Sequence, residues 1–150
     1  MPNNNGSLQW YDNDPSILEN EMKNMNISFP DFKLAQHPDG QLYWQGAIEV
    51  GVLSNIKWEL MAVYSPDYPN IECGERVRVY LMEPSRLINE LEWHPKYLCQ
   101  DNNGLKYISI SLALGSAVSY LSLAIKWLIA FELVLNGDLS IEEFNSCNVI

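Results

Sequence analysis

Trp93-His94-Pro95-Lys96-Tyr97-Leu98-Cys99-Gln100-Asp101-Asn102-Asn103-Gly104 decides how this chain is read. The stretch separates a strand-like run from a long apolar helical run. It holds one of the two histidines and one of the three cysteines. A thiol is reactive in proportion to its thiolate character and its access to solvent. Residues 100–104 set Cys99 beside an exposed polar loop rather than inside an apolar run, which makes it a candidate nucleophile. The competing reading is a buried thiol that packs as a small hydrophobe; the residues alone leave both open. The carboxamides of Asn102 and Asn103 can donate to an oxyanion formed in acyl transfer. Asp101 can orient or deprotonate an incoming amine. His94 is either an acid–base group or a turn-former before proline, and the second role is the commoner one.

Downstream, residues 107–125 carry no charge, which reaches the length of a membrane span. Several serines, Gly115, and then Lys126 and Glu132 interrupt it. Residues 108–112 alternate like a strand, while helical spacing begins near Ser116. The run therefore reads as two elements, the second a mostly buried helix over residues 117–135 with Asn136-Gly137 as its stop. A short helix starts at Ser140, and residues 145–150 read as a tail.

Upstream, residues 76–82 alternate with Val77, Val79 and Leu81 on one face. Residues 57–64 do the same with Trp58, Leu60, Ala62 and Tyr64, and residues 42–50 form the strand before them. The proline-rich loop at residues 65–70 cannot be a central strand. These three strands describe an antiparallel meander. A helix over residues 15–25 begins at an Asp14 cap with Pro15 at its first position. Residues 29–32 read as extended, residues 86–91 as a helical turn, and residues 1–13 as a loose tail. The expected fold class is α+β in a single domain over residues 1–150.

At 150 residues the chain can bury a sizeable core. Its net charge of −10 argues against a nucleic-acid partner, which needs Lys and Arg to displace counterions, and against an anionic membrane surface. Three cysteines do not describe a disulfide framework, and the polar N-terminus is not a secretory signal. The expected location is the cytoplasm. No Cys or His pair has metal-ligand spacing and no glycine-rich phosphate loop occurs, so no cofactor and no metal is expected. Cys73 and Cys147 have no constellation around them.

The order of parts resembles the ubiquitin-conjugating (UBC) fold. Tyr64-Ser65-Pro66-Asp67-Tyr68-Pro69 resembles the loop before that family's third strand. His94-Pro95 matches the start of its His-Pro-Asn motif, and Leu98-Cys99-Gln100-Asp101 resembles its active-site segment. Phe29-Pro30, Trp44-Gln45-Gly46, Glu83-Pro84-Ser85-Arg86-Leu87 and Trp127 to Glu132 followed by Gly137 are similar to the prokaryotic ubiquitin-conjugating-like proteins, over residues 15–138. Lys96 stands where the family motif has the asparagine credited with oxyanion support, so either Asn102 or Asn103 substitutes for it or the step differs. The resemblance implies a stand-alone transferase. Cys99 carries a partner protein's C-terminus as a thioester and passes it to an amine on an acceptor. It also implies a setting in bacterial antiphage operons, with a cGAS-like nucleotidyltransferase as one donor. The rival expectations are a non-catalytic binding module of the same fold and a membrane-associated protein anchored through residues 107–135.

Overall fold

In the computed structural model, which describes residues 8–70, 75–148 and 150, the order of elements is α1 (Trp10–Asn13), α2 (Pro15–Ser28), β1 (Lys33–Gln36), β2 (Leu42–Ile48), β3 (Trp58–Tyr64), β4 (Val77–Glu83), α3 (Arg86–Asn89), β5 (Leu98–Gln100), β6 (Lys106–Ile108), α4 (Ala117–Leu135) and α5 (Ile141–Ser146). The six strands form one antiparallel sheet in the order β1-β2-β3-β4-β6-β5. The chain is α+β, and the alternating meander read from the sequence is the middle of that sheet.

Alternation decides which face is buried. Trp44, Trp58, Leu60, Ala62, Tyr64, Val77, Val79, Leu81 and Ile108 all point to one side and are buried. On that side α4 contributes Ala117, Tyr120, Leu121, Ala124, Trp127, Leu128 and Phe131, each with no exposed surface. Trp127 stacks on Phe131 at 5.0 Å, and Trp58 meets Phe131 edge-on at 6.0 Å. Burial of side chains this large is worth about 1.5–3 kcal/mol each. The apolar run is thus the core helix of the domain. By length and composition α4 is also the one helix among the described residues that reaches a membrane span.

Two buried carboxylates join distant elements. Glu21 of α2 accepts from the Tyr64 hydroxyl at 2.7 Å and from the Ala117 N–H at 2.9 Å, while Trp44 Nε1 donates to the Tyr64 oxygen at 2.7 Å. The Ala117 N–H is one of the orphan donors at the start of α4, so Glu21 helps to cap a helix from outside it. Burial and then the Glu21 charge push the Tyr64 phenol far above its ordinary pKa. Glu132 of α4 accepts from Leu53 N–H at 2.8 Å and Trp58 Nε1 at 2.6 Å.

Four expectations need correction. The tail ascribed to residues 1–13 contains α1, because Trp10 finds ring partners in Tyr64 and Tyr68, both at 4.9 Å; residues 1–7 lie outside the described residues. Part of the tail ascribed to residues 145–150 is also structured, residue 149 lying outside the described residues. α5 runs through Ser146, Asn145 bonds the 94–96 backbone, and Ile150 packs on the core. The sheet has three strands more than the meander. β1 follows the turn at residues 29–32, and β5 and β6 form a hairpin. Finally, the helix begun at Pro15 continues to Ser28, three residues beyond the expected end.

Candidate active site

Pro95 is buried, and the Lys96 carbonyl accepts from Trp127 Nε1 at 2.7 Å. Tyr97 then adopts φ +73°, a left-handed conformation uncommon for a bulky residue. Its carbonyl accepts from the Ser109 N–H at 2.7 Å, which starts the pairing with β6. Leu98 lies opposite Ile108 and Cys99 opposite Tyr107. Ile108 faces the core, so Leu98 turns inward and Cys99 and Tyr107 turn to the opposite face of the sheet, away from the core.

Cys99 is therefore a partly exposed free thiol on the edge strand of the sheet. The candidate nucleophile is neither deeply buried nor in a loop. Tyr107 beside it lies under the Arg78 guanidinium, 4.0 Å from the ring centroid, and 5.6 Å from the Tyr80 ring. Arg78 pairs with Glu75 at 2.8 Å. Desolvation works against the charge on Arg78, but bonds to Tyr80 and Glu75 outweigh it and raise its pKa. Burial raises the phenol of Tyr107 first; Arg78 opposes this and the Cys99, Glu75 and Tyr80 groups add to it. Arg78, Tyr80 and Tyr107 were not singled out from the sequence. The alternation of β4 set Arg78 and Tyr80 away from the core, but only the sheet order brings them beside Tyr107 and Cys99.

Asp101 is two residues beyond Cys99, just past the end of β5, and it borders the same groove as Arg78 and Tyr80. Its Oδ1 accepts from the N–H groups of Asn103 and Leu105, both at 2.9 Å. Desolvation raises its pKa, but those two N–H groups, the Tyr80 hydroxyl and Arg78 together outweigh it and hold the carboxyl below the usual range. It is thus an ionised acceptor suited to orienting an ammonium and a weak base for deprotonating one. Asn102 and Asn103 are exposed at the turn, where the Asp101 carboxylate and Gly104 at φ +84° close the hairpin. The His94 carbonyl accepts from Asn145 Nδ2 at 3.3 Å. Its exposed ring makes no hydrogen bond among the described residues, and the Tyr97 turn separates it from β5. Asp101 and Asn103 thus both reach the open face, lining its groove with Arg78 and Tyr80 from the turn that follows β5.

Next to this cluster the open face carries a groove of about 450 Å³, with Met61, Val63, Arg78 and Tyr80 among its lining and Asp101 and His37 at its sides. Cys99 does not line it. Among the described residues no group of three His, Cys, Asp or Glu side chains gathers as a metal site. Cys73 lies outside the described residues, and Cys147 is exposed after α5. Comparison with family models, curated proteins and solved structures finds no match to this chain.

Proposed function

We propose that this chain is a ubiquitin-conjugating-like cysteine acyltransferase of the bacterial cytoplasm. Cys99 carries a partner protein's C-terminus and hands it to an acceptor amine. One observation carries the reading: a partly exposed free thiol on the edge strand, with the Asp101 carboxylate beside Arg78 and Tyr80 at the turn that ends that strand. The thiolate attacks the carbonyl of an activated donor such as an acyl adenylate. The S–C bond forms as the C–O bond to the phosphate breaks and the nucleotide leaves. An amine oriented by Asp101 then attacks; the C–N bond forms, the C–S bond breaks, the thiolate is regenerated and the amine proton passes to solvent. Thiolates need little further activation for the first step. The family resemblance supports an antiphage setting and a cGAS-like nucleotidyltransferase as donor.

A non-catalytic binding module of the same fold is the second reading. The Asp101 turn bonds, the distant His94 ring and the groove beside the cluster favour it. Co-expression with a donor, followed by gels with and without reductant, separates the two. Acyl carriage predicts a reductant-sensitive band lost in Cys99→Ala. A partner retained equally by wild type and Cys99→Ala, with no such band, selects the binding module.

A further inference from the structure

The backbone ahead of Cys99 is held by side chains from two elements far along the chain. Trp127 of α4 takes the Lys96 carbonyl at 2.7 Å. On α5, Asn145 Oδ1 accepts from the Lys96 N–H at 2.8 Å, and Asn145 Nδ2 donates to the His94 carbonyl at 3.3 Å. One carboxamide therefore satisfies a donor and an acceptor of the same segment, which few side chains can do.

α5 is itself fixed in place. Phe144 has no exposed surface and meets Trp93 at 5.4 Å and Trp127 at 5.6 Å. Ser140 and Glu143 form a reciprocal capping box at its start. The next residue after the clamped segment is Tyr97 at φ +73°, a conformation that persists only where its surroundings over-determine it. That residue turns the chain so that Leu98 enters the core and Cys99 faces out.

We propose that Asn145 is a positioning residue for Cys99, so that the C-terminal helix belongs to the active site without touching the reacting atoms. The catalytic consequence rests on the acyl-carrier reading; the hold on the strand does not.

The test compares wild type, Asn145→Ala and Asn145→Asp, with Ser146→Ala as a control whose hydroxyl, among the described residues, bonds the Glu143 carbonyl of its own helix. Two rates are read well below the melting temperature. One is iodoacetamide alkylation of Cys99, followed by peptide mass spectrometry, in which the S–C bond forms and iodide leaves. The other is thioester formation with the activated donor. Loss of two hydrogen bonds favours local opening by about tenfold. Asn145→Ala should raise Cys99 alkylation by about tenfold and lower thioester formation by a similar factor. Asn145→Asp, which keeps the Lys96 bond and lacks the donor to His94, should fall between. This opposite movement is the signature, because a merely structural loss would not spare Ser146→Ala and grade through Asn145→Asp. If Asn145→Ala does not fold, a few-fold rise in alkylation for Asn145→Asp carries the test. An unchanged Cys99 alkylation rate overturns the positioning role. No adduct on wild type overturns the acyl-carrier reading alone.

Discussion

Glu132 should be worth more to this domain as half of a pair than as a single side chain. It has no exposed surface, and its two oxygens accept from Trp58 Nε1 at 2.6 Å and Leu53 N–H at 2.8 Å. A hydrogen bond to a charged acceptor contributes roughly 1.5–3 kcal/mol, and a buried donor left alone costs about 1–3 kcal/mol. Glu132→Leu removes both bonds and orphans the fully buried Trp58 N–H, so about 3 kcal/mol should be lost. At this chain length that is a fall in Tm of about 6–12 °C. Trp58→Phe leaves one carboxylate oxygen unpaired and should cost about 2–3 kcal/mol. The double variant removes both partners, so it should be less destabilised than the sum by about 2 kcal/mol. Urea unfolding with a shared m-value gives each free energy, and the double-mutant cycle gives the coupling. Additivity within about 0.5 kcal/mol would refute the reasoning.

Tyr64→Phe removes the hydroxyl that links Trp44 Nε1 to Glu21 and should cost about 2–3 kcal/mol by the same assay; a loss under about 0.5 kcal/mol would mean the network is slack. A Cβ on Gly46 would sit 2.6 Å from the Phe32 ring, so Gly46→Ala should destabilise by about 1–3 kcal/mol, and Phe32→Leu in the same background should recover part of it. The Glu143 carboxyl is held below its ordinary pKa by the backbone N–H and then the side chain of Ser140. Its contribution is therefore present above the unfolded pKa and fades as pH falls through the lower folded value. Glu143→Gln should narrow the stability gap between wild type and variant as the solution is acidified; a gap that widens in acid contradicts this. Asp101→Ala should speed amide exchange at Asn103 and Leu105, whose N–H groups it accepts, and leave exchange in α4 unchanged.

Long elements were legible because one face of each is buried. Residues 117–135 repeat apolar side chains at helical spacing, and α4 occupies the same span. Trp58, Leu60, Ala62 and Tyr64 alternate, and β3 buries all four. β5 was hidden and β6 was misplaced, read as strand-like over residues 108–112, because each has only three residues and Leu98-Cys99-Gln100 pairs with Lys106-Tyr107-Ile108 without an apolar rhythm. Their pairing is decided by the Asp101–Gly104 turn and the Ser109–Tyr97 bond, which are tertiary facts. α1 escaped because Trp10 owes its burial to Tyr64 and Tyr68, far along the chain. At the site, Cys99 and Asp101 could be singled out by their loop-edge context. Arg78, Tyr80 and Tyr107 could not, because only the sheet order places β4 beside β6 and the hairpin.

The most direct test of the central claim is intact-mass analysis of wild type, Cys99→Ser and Cys99→Ala after incubation with an activated donor. Acyl carriage predicts a wild-type adduct equal to the donor minus its leaving group, released by dithiothreitol. It also predicts an adduct that resists thiols in Cys99→Ser, or none there, and none in Cys99→Ala. The same thiol-labile adduct on Cys99→Ala, or no adduct on wild type with the donor shown to be activated, would contradict it.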